Sequence, residues 1–347
     1  MIDSVSVVIP AYNSSATIGA AITSALQQDE VEQVFVVDDA SNDNTAAIAR
    51  VAAGSDRRFV LLEQDRNQGP SAARNRAIAQ SDAAWIAILD ADDQFLPGRF
   101  GAMKPQNGTD MVADNIMFVR HEDLGEDGRV ASAAMLSGQN QSFQIDFEKF
   151  VLANLSRPDR LRGELGFIKP VIRRSLFDRL DLHYAENCRL GEDFLLYCKA
   201  LAKGARFEIS LQTGYIALRR DNSLSLRHGA RELEQLLIET ISLLETLANG
   251  TKEREALKAY IRTIRRKLDY REVLDRRREQ GLFSGLRRLA LSPAVARTIL
   301  KDKIVPSEDP VGACGLLISA DDIAALGVVA DSHERAVSSS GMCIERD

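Results

Sequence analysis

Trp85-Ile86-Ala87-Ile88-Leu89-Asp90-Ala91-Asp92-Asp93 is an apolar run that ends in three carboxylates within four residues. An unbroken apolar block suits a strand buried on both faces, as in the middle of a parallel sheet. The acids then fall at the strand's carboxyl end, where open α/β sheets place their ligands. Neighbouring carboxylates repel, so the cluster favours a cation or a donor-rich ligand. In an extended Asp-X-Asp segment, both acids point to one side and the middle residue points away. That arrangement suits a divalent ion bridging protein and phosphate oxygens. Taken alone, the same residues also read as a solvated acidic loop.

The residues upstream favour the first reading. Val5-Ser6-Val7-Val8-Ile9-Pro10 is a β-rich run stopped by proline, followed by the polar loop Ala11-Tyr12-Asn13-Ser14-Ser15. A helix is expected from about Thr17 to Gln28, with Ile18, Ala21, Ile22 and Ala25 on one face. Val34 to Val37 is a second buried strand that runs into Asp38-Asp39-Ala40-Ser41, and Asn42 to Thr45 supplies capping chemistry for a helix over Ala46 to Ala53. Phe59 to Leu62 is a third strand, Gln68-Gly69-Pro70-Ser71 a turn, and Ala72 to Ala79 a helix carrying Arg74 and Asn75. Strands and helices alternating over short connections predict a parallel sheet with right-handed crossovers. Asp38-Asp39 and Asp90 to Asp93 should then share one rim. Neither GxGxxG nor GxxxxGK[ST] follows the first strand, so a nucleotide would be held by other means.

Four segments together, Val7 to Asn13, Val36 to Thr45, Asn67 to Asn75 and Leu89 to Asp93, resemble the successive motifs of family 2 glycosyltransferases. Those are inverting enzymes of the GT-A fold that use nucleotide sugars, and the resemblance covers about residues 1 to 220. It implies a base pocket lined by Pro10, Ala11, Tyr12 and Asn13, with Asp39 against the uracil ring and Arg74 near the base or phosphates. In the Asp90-Ala91-Asp92 segment, Asp90 would face the ribose and Asp92 would hold Mg²⁺ or Mn²⁺ against the diphosphate. Each residue also has a plainer reading: Tyr12 as a rim aromatic, Asp39 as a helix cap, Arg74 as a surface charge.

Beyond residue 104 the pattern is less regular, with a strand expected over Asp110 to Asp114 and a polar loop or hairpin over Glu122 to Gln144. It sharpens again at Gly166-Phe167-Ile168-Lys169-Pro170-Val171-Ile172-Arg173 and at Arg189-Leu190-Gly191-Glu192-Asp193, where a helical apolar face begins with Phe194 and Leu195. Two acids at a helix start cap free N–H groups and oppose the dipole. In the resemblance, Glu192-Asp193 looks like the family's ED motif, whose second acid is the catalytic base. An inverting transfer needs a carboxylate on the acceptor side of the anomeric carbon and a metal on the leaving-group side. Asp193 and Asp92 are the candidates for those posts, with Glu192 orienting the acceptor or the base. Ile216 to Ser225 resembles a site-closing segment; its Arg219 or Arg220, and beyond it Arg227 or His228, would pair with the diphosphate, and a basic surface loop is the alternative.

Residues 231 to 280 read as helices. From Lys252 to Lys303 there are 16 Lys and Arg against 7 Asp and Glu, in a chain whose formal net charge is −6. Gly281 to Leu291 mixes bulky apolar and basic residues, which suits either an amphipathic segment on an anionic membrane or a helical cap with a solvated basic side. Residues 305 to 347, rich in Ser, Asp, Gly and Ala, read as a poorly ordered tail with an apolar island at Ile323 to Ala330. Four scattered cysteines form no CxxC and suggest neither zinc nor a disulfide framework. No apolar run approaches the roughly 18 to 20 residues of a membrane span, and the first ten residues lack the basic region of a secretory signal.

The organisation expected is a GT-A catalytic domain over 1–230 (nucleotide-binding half 1–103, acceptor half 104–230), a basic helical extension over 231–304 and a tail over 305–347. The activity expected is metal-dependent transfer of a hexose, glucose from UDP-glucose in the first instance, to a glycan hydroxyl with formation of a β-glycoside. The resemblance is strongest to enzymes that extend lipid-linked exopolysaccharide repeat units, which implies a cytoplasmic protein with peripheral contact to the inner face of the plasma membrane and no nucleic-acid partner. A nucleotidyltransferase and a non-catalytic nucleotide-sugar or glycan-binding module are the two other readings. The first typically has a Gly-rich basic loop after its first strand, which Pro10 to Ser15 does not match; the second has no need of both Asp92 and Asp193.

Overall fold

A computed structural model describes residues 1–120, 141–155, 165–219, 229–280, 315–316, 318 and 331–332. Arg220, Arg227, His228, the amphipathic stretch 281–291, most of the polar loop, the apolar island 323–330, Cys314 and Cys343 lie outside the described residues, as does the side chain of Arg219.

The first half follows the hydrophobic blocks. Strands β1 (Val5–Ala11), β2 (Val31–Asp38), β3 (Phe59–Glu63) and β4 (Trp85–Ile88) lie parallel in the order β3-β2-β1-β4. Every residue of β4 is buried, as expected of a strand covered on both faces. Helices α1 (Ile18–Leu26), α2 (Thr45–Ala53) and α3 (Pro70–Gln80) connect these strands. Pro10 is tolerated inside β1 because the β4 ladder stops at Val8↔Ile88, so its missing donor costs no partner on that side.

The second half is mixed. Short β5 (Gln94–Phe95) and α4 (Arg99–Ala102) lead to β6 (Met111–Arg120), which runs well past the expected end at Asp114. Then come β7 (Gln141–Ile145), α5 (Phe147–Ala153), β8 (Val171–Arg173), α6 (Arg174–Leu180), α7 (Glu192–Ala202) and the 13-residue β9 (Phe207–Arg219). Strand β8 inserts antiparallel between β4 and β6, while β6 and β9 run parallel, giving the order β7-β9-β6-β8-β4-β1-β2-β3. The β6–β9 register breaks between Ala113 and Ile116. There Gly214 passes so close to Asp114 and Arg99 that an added Cβ would sit 2.2 Å from Asp114 Oδ2.

The C-terminal helices pack on this domain. Helices α8 (Ala230–Thr246) and α9 (Lys252–Gln280) bury Leu236, Leu243, Ala256, Leu257 and Ile264 in the main core. Tyr260 stacks on Phe194 of α7 at 4.2 Å between ring centroids. The tail also returns to the sheet, as β10 (Gly315–Leu316) on β6 and β11 (Asp331–Ser332) on β7. Between them Asn115 donates to Ile318 O (2.8 Å) and accepts from Ile318 N (3.1 Å). No described helix is long and apolar enough to cross a membrane.

Candidate active site

Three loops at the carboxyl ends of β1, β2 and β4 meet, as the parallel arrangement requires. The first two are stitched together: Asn13 N donates to Ser41 Oγ, Asn42 N to Asn13 Oδ1, Ser14 N to Thr45 Oγ1, and Asp39 N to Ala11 O. Asn13 (φ 50°) and Ala40 (φ 58°) adopt left-handed backbone that this network holds. Tyr12 stands 47% exposed beside it, with Pro10 half-buried and Ala11 buried beneath. Such an exposed ring on a rigid loop offers a flat face to a base. The carboxylate of buried Asp39 accepts from Gln68 N and Gly69 N, both at 2.7 Å, and so fixes the turn that starts α3. Gly69 has φ 92° and Pro70 follows at the first helical position.

That turn aims α3 across the site. Ser71, Arg74 and Asn75 share one helix face, at spacings of three and four. Ser71 Oγ donates to Cys188 O, and Asn75 clamps Tyr184 through both backbone groups. Arg74 is buried; its Nη1 donates to Glu192 Oε1 at 2.8 Å and its Nη2 to Asp90 Oδ1 at 3.0 Å. It also lies 3.9 Å from Asp193 Oδ1. Arg74 is therefore not the surface charge of the plainer reading, but lies buried between the two acidic motifs.

Lys169, just ahead of β8, completes the cluster. Its Nζ donates to Asp193 Oδ2 at 2.6 Å and pairs with Asp90 Oδ2 at 3.0 Å. Burial works against ionisation of Asp90, but Lys169 and Arg74 outweigh it and hold its carboxyl well below the usual carboxylate range. Burial likewise works against the Lys169 ammonium and the Arg74 guanidinium, yet the surrounding acids, Asp193 first, push both above their ordinary values. Burial, and then the charge of Asp193, lifts the Tyr184 phenol. Asp193 Oδ1, Tyr184 Oη and Arg74 Nε are buried without a hydrogen-bond partner among the described residues.

Of the remaining acids, Asp93 is structural. It accepts from Tyr215 Oη (2.7 Å) and Leu218 N (2.9 Å), while burial and then the charges of Asp92 and Asp90 push its carboxyl well up. Asp92 is half-buried between them. Three acids (Asp90, Glu192, Asp193) face two bases (Arg74, Lys169). Among the described residues no three His, Cys, Asp or Glu side chains form a ready-made cage. Lys169 and Tyr184 were not among the residues singled out from sequence as site residues, because one lysine or tyrosine in an apolar segment carries no spacing signal.

A mostly parallel sheet with carboxylates gathered at its strand ends, the stitched 11–14 and 38–45 loops on one side and a helix-borne acid pair on the other, has the architecture of the GT-A fold. The sequence profile of "Glycosyl transferase family 2" matches residues 6–159. The chain is 39% identical over 308 residues to the succinoglycan biosynthesis protein ExoU of Rhizobium meliloti, covering 86% of this chain and 87% of that protein. It is 38% identical over 116 residues to the Escherichia coli UDP-Glc:alpha-D-GlcNAc-diphosphoundecaprenol beta-1,3-glucosyltransferase WfgD, covering 33% and 44% of the two chains. In fold it resembles S. aureus TarS 1-349 in complex with UDP-GlcNAc, with a TM-score of 0.56, 19% identity and coverage of 80% and 88%. This protein belongs to glycosyltransferase family 2, and it is a homologue of succinoglycan biosynthesis glycosyltransferases.

Proposed function

We propose that the protein transfers a hexose, glucose from UDP-glucose in the first instance, to a hydroxyl of a lipid-linked glycan, with inversion to a β-glycosidic bond. The observation that carries this reading is the convergence of Asp90 and Asp193 on Arg74 and Lys169, which puts a donor-side acid and a helix-borne acid in one cluster. The name of the E. coli relative, a UDP-Glc:alpha-D-GlcNAc-diphosphoundecaprenol beta-1,3-glucosyltransferase, supports this donor and a lipid-linked acceptor.

In this reading Tyr12 stacks on the base, and Asp39 orders the loop beneath it and lies toward the uracil edge. Asp90, held ionised by Arg74 and Lys169, accepts from the ribose hydroxyls. Asp92 would hold Mg²⁺ or Mn²⁺, and the cation would supply positive charge opposite the leaving diphosphate. Asp193 takes the proton of the attacking hydroxyl, and Glu192, fixed by Arg74, orients the acceptor. Arg219 or Arg220 pairs with the diphosphate. The basic C-terminal extension makes peripheral contact with the anionic inner face of the membrane that carries the acceptor.

Calorimetry with UDP, with and without Mn²⁺, followed by turnover of UDP-glucose, tests the reading. General-base assistance is worth roughly 10²- to 10⁴-fold. Asp193→Asn should lose that factor in kcat while UDP affinity stays within about threefold. Asp193→Asn at full activity, or UDP binding indifferent to Mn²⁺, would overturn the corresponding assignment.

A further inference from the structure

We propose that Lys169 is a positioning residue that locks the proton-accepting carboxylate of Asp193 to the donor-side carboxylate of Asp90. The inference rests on the reading of Asp193 as the base and goes beyond it by naming what sets that base in place.

The lysine is built in, not merely near. Its side chain is 8% exposed, and its ammonium lies 2.6 Å from Asp193 Oδ2 and 3.0 Å from Asp90 Oδ2. Its own carbonyl accepts from Arg99 Nη2 at 2.7 Å, and Arg99 is fully buried in a two-pronged pair with Asp114. The preceding carbonyl, of Ile168, accepts from Tyr197 Oη at 3.1 Å. Tyr197 and Asp193 lie four residues apart on α7, so one helix face grips the 168–169 segment twice. Gly166 permits this approach: an added Cβ would sit 3.2 Å from Phe194 Cβ and 3.0 Å from Asn154 Oδ1.

The chemistry suits lysine. An ammonium is a compact charge with three donors, able to serve two carboxylates that approach from different elements. With Oδ2 tied to Lys169, Asp193 cannot rotate about its last torsion, so its remaining lone pairs point in one direction. Because the same ammonium holds Asp90, base and donor acid are fixed relative to each other. A lysine that only neutralised buried charge would act on stability; one that positions the base acts on turnover through Asp193.

A double-mutant cycle separates the two roles. Steady-state turnover is measured with Mn²⁺ and varied UDP-glucose, UDP-galactose or UDP-N-acetylglucosamine, whichever the unsubstituted protein consumes. Lys169→Met should lower kcat by about 30-fold or more, within the range of general-base assistance, with a smaller rise in KM for the donor as Asp90 loses one of its two holds. Added to Asp193→Asn, it should cost less than about threefold further. Should Lys169→Met fail to fold, Lys169→Met/Asp193→Asn, which removes both charges, is compared with Asp193→Asn alone. Retained kcat in Lys169→Met, or losses that multiply in the double variant, would overturn the proposal. Asp193→Asn at full activity, or no turnover of any of the three donors by the unsubstituted protein, would instead remove the reading beneath it.

Discussion

Arg99 meets Asp114 through two nitrogens, Nε at 2.9 Å and Nη2 at 2.7 Å, with both side chains out of water. Its guanidinium lies against the rings of Phe95, Tyr215 and Phe100, whose centroids are 4.6, 5.2 and 5.5 Å away. Burying such a pair is costly, and breaking one partner away typically costs about 3 to 5 kcal/mol. The pair sits directly beneath the site: Arg99 holds the carbonyl of Lys169, and Tyr215 holds Asp93.

Gly214 is the tightest neighbour of that pair. A methyl group there would meet Asp114 Oδ2 at 2.2 Å and Arg99 Cγ at 2.5 Å, with no flexible chain end to give way. Gly214→Ala should therefore lower unfolding stability by about 3 kcal/mol or more, combining overpacking with a loosened ion pair. Urea titration should show a lower midpoint at unchanged slope. A loss under about 1 kcal/mol would mean that β9 shifts freely, against the register seen beside it.

Arg74 serves two acids with a planar fork, Asp90 on one nitrogen and Glu192, 118 residues further along the chain, on the other. Lysine has one point charge and cannot reproduce both contacts. Arg74→Lys should destabilise by about 2 to 3 kcal/mol, the scale of leaving a buried charged partner unsatisfied. UDP affinity should fall at least about tenfold as Asp90 loses its orientation. Thermal unfolding and calorimetry check the two halves separately. Wild-type stability in Arg74→Lys would show that one contact suffices.

These two cases mark where the sequence was legible. The four parallel strands, their helices and the acids at their ends could be read because each apolar block is short, continuous and closed by a turn residue. The pattern Asn67 to Asn75 was visible, but its sense was not. Gly69 and Pro70 start a helix whose Ser71, Arg74 and Asn75 grip residues that arrive more than a hundred positions later. Strand β9 does carry a local signal, the alternation of buried Phe207, Ile209 and Leu211. Lys169, Arg99 and Asp114 are buried charges whose partners lie on other elements, so no local spacing announces them. The return of the tail to β6 through Asn115 and Ile318 is equally non-local.

The loop beside the proposed base pocket should respond to acid. Burial works against the charge of Asp43. Hydrogen bonds from the hydroxyl of Thr45 and from Ser15 outweigh it and hold the carboxyl at about 2. A depressed folded-state value contributes stability that is present above the unfolded value near 4 and is lost as pH falls toward 2. The melting temperatures of the wild-type protein and of Asp43→Asn should therefore differ most above about pH 4 and converge toward pH 2. Parallel curves across that window would show that Asp43 is not linked to folding.

The C-terminal helices restrict how the protein can meet a membrane. Helix α9 turns Ala256, Leu257, Ile261 and Ile264 inward, and Tyr260 covers Phe194 next to the proposed base. Arg262, Arg265 and Arg266 are exposed. With Ala256, Leu257, Ile261 and Ile264 committed to the core, the described side chains of α9 leave no apolar face to insert, so attachment through them would rest on charge alone. Each basic residue near an anionic leaflet contributes about 1 kcal/mol, and the Debye length shrinks to about 3 Å in 1 M salt. Vesicles containing phosphatidylserine should bind the protein at low salt and release it at high salt. Reversing the three arginines to glutamate should weaken binding by about 100-fold or more without lowering the melting temperature. Binding that survives both changes would place the membrane contact elsewhere in the chain, because an attachment made of surface charge cannot outlast its screening.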